Sequence, residues 1–217
     1  IMRIAPVCSL KWVPGGSHIN PATKFIRDGY FQQFGAHLTE LMPWVLMLCD
    51  GEENLLAACG MKAASHGALF LEQYLDKPAE SSLQQHGFCN AQRGDIVEVG
   101  NFAATEGSAA RVMYAAVCLL LNHYRYRYIM FTGTVKIRNI FSRLHLKPVT
   151  ITAAEPTRLT VNPAAWGDYY QHAPQVMAGD LTSGQKSLAE HSLLLNLFDE
   201  LPVAPWRLQQ KEIRHVN

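Results

Sequence analysis

The sequence predicts an α/β (α+β) fold: a central mixed, mostly antiparallel sheet flanked by helices, with a C-terminal aromatic-rich extension. Three observations carry this. Between Asp95 and Leu146 the chain runs strand, glycine turn, helix, strand, helix. Upstream, two β-type runs flank the turn Asp50-Gly51-Glu52-Glu53-Asn54, which reads as a hairpin. The 217 residues, 48% hydrophobic and 17% charged, can bury one large core. Residues 1–155 are expected to form that core, and 156–217 an extension packed on it.

Residues 1–20 contain Pro14-Gly15-Gly16-Ser17 and read as an edge strand and a loop. Thr23 precedes a helical pattern with Ile26, Tyr30, Phe34, Leu38 and Leu41 near one face, widened by Phe25 and Phe31 and ended by Pro43. Such a helix packs in the core or flanks an apolar substrate tunnel. Trp44 to Cys49 and Leu55 to Ala63 are the two hairpin strands. Ala68 to Leu75 reads as a third strand, or a strand passing into a turn, and Glu80 to about His86 as a short helix.

Ile96 to Ala104 is the next strand. Gly100 inside it marks a bulge or a close backbone approach. Ser108 is placed to cap a helix that is apolar on nearly all sides, hence buried. Tyr128 to Thr132 is a continuous apolar strand of the kind found inside parallel sheets. A helix at 136–144 and a strand from Pro148 to Ala153 follow. Residues 156–184 read as an aromatic-rich loop with a short helix. Gln185 to Leu201 alternates like a helix that Pro202 ends, and a polar, mobile tail is expected from Trp206.

Composition narrows the function. With 19 basic and 18 acidic residues, no broad attraction to nucleic acid is implied. Five cysteines without a Cys-x-x-Cys read as buried free thiols in a reducing compartment. Histidines are scattered singly, so no metal is expected. The opening Ile-Met-Arg-Ile-Ala-Pro lacks a signal-like apolar run, and Val112 to Leu121 is too short to span a bilayer. A cytoplasmic protein, in peripheral contact with a membrane at most, is the expectation.

The central strand–turn–helix is a phosphate-holding device, because free amides at a helix start face an anion and the helix dipole favours negative charge there. The element order also resembles the GNAT acyltransferase fold. Ala104-Thr105-Glu106-Gly107-Ser108-Ala109 resembles its phosphate turn, Arg/Gln-x-x-Gly-x-Gly/Ala, with Ala at the Arg/Gln position. Four stretches together resemble the thermostable hemolysin family over most of residues 25–180: 71–76, 98–103, 131–146 and Trp-Gly-Asp-Tyr-Tyr at 166–170 with Pro174 and Val176. That family is in turn similar to the acyl-homoserine lactone synthases. Their Glu-x-Ser-Arg-Phe stands where this chain has Glu98-Val99-Gly100-Asn101-Phe102. Gly-Asn in place of Ser-Arg points away from lactone formation and leaves acyl transfer.

The resemblance implies an N-acyltransferase that moves an acyl group from coenzyme A or acyl carrier protein to the amine of a small molecule, an amino acid or a derivative. A membrane-active hemolysin and a non-catalytic acyl-binding protein are the alternatives. Glu98 becomes the general base, acting through a water, with burial raising its pKa. Otherwise it is a strand glutamate facing solvent or paired with Arg93 or Arg138. Asn101, Phe102 and Ala103 form the bulge whose amides meet the pantetheine arm. Gly107, Ser108 and Ala109 offer amides to its phosphate, with Arg111 as a partner or a plain surface arginine. Phe141 falls where many GNAT enzymes carry a tyrosine acid, and Ser142 beside it faces elsewhere. Glu72 and Asp76 bind the acceptor ammonium or end a solvated strand. Phe34, Trp44, Thr132 and Phe141 complete the expected substrate-binding set. Trp166, Tyr169 and Tyr170 wall the substrate or pack over the sheet.

Overall fold

A seven-stranded sheet forms the centre of the molecule, in the order β1-β2-β3-β4-β5-β7-β6. The computed structural model describes residues 8–191, 198 and 200–206. The strands are β1 Cys8–Pro14, β2 Trp44–Asp50, β3 Leu55–Ala63, β4 Ile96–Ala104, β5 Tyr128–Gly133, β6 Val149–Ala153 and β7 Gln175–Asp180. All neighbouring strands run antiparallel except β4 and β5. The helices are α1 Pro21–Phe34, α2 Ala79–Gln85, α3 Gly107–His123, α4 Val135–Arg143 and α5 Leu181–His191.

Strand alternation divides the core between two faces. Leu46, Cys59, Val97, Val99 and Phe131 point to the face covered by α3 and α4. Val45, Ala58 and Ala103 pack under α1. On that same face Ile96, Met130 and Val176 pack under α2 and the turn before it.

Several elements follow from local chemistry. The β2–β3 hairpin forms as expected, its turn tied by the Asp50 carboxylate, which accepts from the amides of Glu52 and Asn54. Asn20 and Thr23 cap α1 reciprocally, with Pro21 in the first turn. The helix ends at Gly35 (φ 65°), not at Pro43. A left-handed glycine stops the ladder although the apolar spacing continues, so Leu38 and Leu41 are buried from a loop instead.

Five further expectations are corrected. Residues 68–75 are not a strand: Phe70–Tyr74 is a single 3-10 turn, because its leading amides bond to carboxylates. Ser108 does not cap α3. The helix starts after Glu106, and the Ser108 hydroxyl donates to the Glu106 carboxylate. The stretch 156–184 contains β7, which inserts between β5 and β6, so the sheet draws on both sides of residue 155. Cys89 is exposed and does not meet the expectation of buried thiols. Trp206 is buried, packed edge-on against Trp12 at 5.2 Å, and donates to the Tyr126 hydroxyl. The rest of the expected tail, and part of the helix expected at 185–201, lie outside the described residues.

Gly167 shows how the aromatic segment is docked. It has φ 52°, and a Cβ there would fall 2.0 Å from the Phe34 carbonyl oxygen. Gly167→Ala is expected to destabilise the fold by about 1–3 kcal/mol through overpacking and backbone strain. Gly87→Ala is the control, also at positive φ but with nothing near its added methyl. Urea denaturation compares the two, and equal losses would leave strain as the whole effect.

Candidate active site

The site begins with a fault in β4. Ala58 and Gly60 of β3 pair with Ala103 and Gly100, so β4 carries one extra residue across that step. Asn101 absorbs it at φ 48°, a left-handed conformation that Asn tolerates. Its Oδ1 accepts from the Met42 amide at 2.8 Å, tying the loop after α1 to the bulge. Pairing with β5 stops at Val99 and Phe131 although both strands continue. The two strands therefore part, and a cavity of about 1140 Å³ occupies the opening. Tyr114, Ile137 and Ile140 line it from the α3–α4 face, and Tyr30, Tyr74 and Trp166 from the α1 face.

Glu98 lies on that cavity's wall and is 2% exposed. Its two oxygens accept from the amides of Phe70 at 2.7 Å and Leu71 at 3.0 Å. Burial pushes its pKa up to about 8, against the pull of those amides and of the Lys62 charge. Neither arginine considered as its partner reaches it. Arg93 bonds Glu72, Glu80 and the Gly67 carbonyl. Arg138 donates to the carbonyls of Gly133 and Ala173.

The turn that holds Glu98 is itself fixed by Glu72. That carboxylate accepts from the amides of Leu69 and Ala79 at 2.7 and 2.8 Å and from both terminal nitrogens of Arg93. Burial works to raise the Glu72 pKa, but Arg93 and the two amides overcome it and bring it to about 2. Glu72, expected at the acceptor ammonium, is thus committed away from the cavity. Asp76 pairs with Arg158.

The remaining expected residues divide. Phe34, Trp44, Asn101, Phe102, Ala103, Gly107 and Thr132 line the cavity. Thr132 Oγ1 is buried without a hydrogen-bond partner among the described residues. Ser108, Ala109 and Arg111 are not on the lining, although Ala110 makes the first intrahelical bond, to Glu106, so the three amides before it precede the ladder. Phe141 is buried between Tyr114 and Phe131, outside the cavity, and it places no phenol there. Phe102 stacks on Tyr114 at 4.3 Å. Trp166 and Tyr169 line the cavity and contact each other at 5.2 Å, while Tyr170 bonds the Tyr74 hydroxyl at 2.6 Å. Tyr30, on the helix face expected to flank a tunnel or the core, lines it too, as do Lys62 and Tyr114, which were not singled out in the sequence. Lys62 had a signal: it is the charged residue in an otherwise apolar strand, Leu55–Ala63.

Comparison with family descriptions matches the thermostable hemolysins over residues 14–185. The chain belongs to the thermostable hemolysin family. Three solved structures share the fold of this family member. TofI, in a ternary complex with an inhibitor and MTA, gives a TM-score of 0.55 at 13% identity over 87% of this chain and 99% of its own. The AHL synthase LasI gives 0.53 at 10% identity, over 85% and 97%. FeeM, an N-acyl amino acid synthase from uncultured soil microbes, gives 0.53 at 16% identity, over 91% and 100%. Among curated proteins nothing matches.

The Glu98 value has a signed consequence for stability. A folded-state pKa raised above the unfolded value of about 4.3 means the folded chain keeps a proton that the unfolded chain has released. The stability this contributes is full below the unfolded value and is lost as pH rises through about 8. Glu98→Gln removes this titration. The fall in unfolding free energy between about pH 5 and 8 should then be shallower than in the wild type. Parallel slopes in urea denaturation would mean that Glu98 ionises like an exposed carboxylate.

Proposed function

We propose that this chain is an N-acyltransferase, moving an acyl group from a thioester donor to the amine of a small molecule, an amino acid or a derivative. The observation that carries it is the Glu98 carboxyl, buried on the wall of a cavity that opens between parting strands. Acyl transfer needs a group that takes a proton from an ammonium, and a buried carboxyl poised near 8 is matched to that task. The freed amine attacks the thioester carbonyl, the C–N bond forms, the C–S bond breaks and the thiol leaves.

The donor arm reaches the opening from the α3–α4 side. The amides of Gly107, Ser108 and Ala109 would meet its phosphate, with Arg111 close in sequence, and Phe102 and Ala103 would border the arm. The Glu106 carboxylate at this helix start works against a heavily charged donor. One phosphate, as on acyl carrier protein, suits it better than the several of coenzyme A. No metal is needed for the chemistry. Among the described residues no group of His, Cys, Asp or Glu is arranged to hold one.

Incubating the full chain with long-chain acyl-CoA or acyl carrier protein and pooled amino acids should release thiol and yield N-acyl products by mass spectrometry. Glu98→Gln should lower kcat/KM by about a hundredfold or more. In the wild type kcat/KM should rise with pH and level off above about 8, because the base must be deprotonated. The absence of thiol release with every donor overturns the proposal, and so does full activity in Glu98→Gln. Dye release from liposomes by the protein alone, without substrates, would favour the directly lytic reading. Among the described residues no helix is long and apolar enough to cross a membrane.

A further inference from the structure

We infer that Lys62 anchors the carboxylate of the acceptor, and that the acceptor is an α-amino acid with a large apolar or aromatic side chain. This rests on reading Glu98 as the base. Lys62 of β3 is the direct cross-strand partner of Glu98, so both side chains rise from the same face, and both line the cavity. They are nonetheless not fused into an ion pair. Lys62 Nζ donates to the Ala68 carbonyl at 2.7 Å, and among the described residues it has no salt-bridge partner within 4.0 Å. An ammonium has three donors, so donors remain for a ligand. A lysine and a carboxyl standing side by side match a zwitterion, whose ammonium belongs at Glu98 and whose carboxylate belongs at Lys62.

The neighbouring wall decides the side chain. Phe70, Tyr74, Trp166 and Tyr169 line the cavity on this face. Two polar groups of this wall, the Tyr74 hydroxyl and the Gln73 amide, are already engaged. Tyr74 bonds Tyr170, and Gln73 donates to the Phe70 carbonyl while accepting from the amide and hydroxyl of Thr160. The four rings make a mainly aromatic surface that rewards apolar contact. The cavity's other lysine, Lys136, lies on α4 at the opposite face, so it does not compete for this role.

Calorimetric titration of the full chain with L-phenylalanine, L-phenylalaninamide and phenethylamine tests this without requiring turnover. L-phenylalanine should bind about tenfold or more tightly than the amide, the expected size of one charge-assisted contact. It should also bind more tightly than glycine or L-glutamate. In Lys62→Met the preference for acid over amide should fall to near one, and Lys62→Arg should retain most of it. Thermal melting verifies that both variants fold, and loss of folding in Lys62→Met leaves Lys62→Gln and the wild-type ligand series to decide. Equal binding of acid and amide by the wild type overturns the inference. So does no binding of L-phenylalanine with or without acyl thioester, or a preference that survives in a folded Lys62→Met or Lys62→Gln. Lysine-dependent binding with no thiol release would keep the acceptor site and sink the transferase reading. Thiol release as efficient with phenethylamine as with L-phenylalanine would do the reverse.

Discussion

A carboxyl group placed inside a strand must find donors within the protein, because burial without hydrogen bonds costs several kcal/mol. Glu98 finds two, in the amides of Phe70 and Leu71. That single requirement shapes its surroundings. Residues 70–74 turn instead of extending, since two consecutive amides can converge on one carboxylate only from a tight turn. The turn in turn presents the Leu69 amide to Glu72, and Glu72 carries Arg93. Two carboxylates a few residues apart in space thus end with opposite properties. One is surrounded by donors and a guanidinium and stays ionised, with a pKa of about 2. The other has amides alone in direct contact and holds its proton to about 8. The ionised one fixes structure, and the other stands on the cavity wall without a countercharge in contact.

The opening beside Glu98 depends on close backbone packing as much as on charge. Met42 lies over β3 and β4, where a Cβ on Gly100 would come 2.6 Å from its Cε and one on Gly60 2.8 Å from its Cβ. Both glycines leave room for the loop that Asn101 tethers. The extra residue in β4 turns the strand away from β5 once their pairing ends at Val99 and Phe131. Without that divergence the sheet would close, and Glu98 would be a buried acid with no cavity beside it. The bulge and the carboxyl therefore act as one feature separated by three residues of sequence.

Much of this was legible in the residues. The hairpin, β4 with its glycine, the buried α3, β5 and α4 all carry strong local patterns, and a glutamate in an apolar strand is an anomaly that draws notice. Most of the misses have one physical cause: tertiary partners overruled local preference. Ala68-Leu69-Phe70-Leu71 has strand composition, yet its amides are taken by Glu98 and Glu72. Glu72 looked available because Arg93 is distant in sequence. Val176-Met177-Ala178 is a short run hidden among aromatics and prolines, and its place between β5 and β6 is set by the sheet. Gly35 was the signal that should have ended α1 early, since a left-handed cap outweighs continued spacing. Lys62 was readable by the same anomaly that marks Glu98, but its importance depends on the β3–β4 register, which no local pattern contains.

The charge distribution gives the proposed reaction a direction. Between Gly107 and Ala154 every charged side chain is an arginine or a lysine, although the whole chain is near balance at +1. The acid that offsets this stretch lies elsewhere, including Glu72 and Glu80, which pair with Arg93 on the other face. An anionic donor arriving along α3 and α4 would therefore meet basic helices. Glu106, at the start of α3, is the exception on the donor side. Its position at the helix dipole weakens the attraction for phosphate where it would otherwise be greatest. A donor that brings further contacts of its own, as a carrier protein does through its surface, depends least on that one helix end.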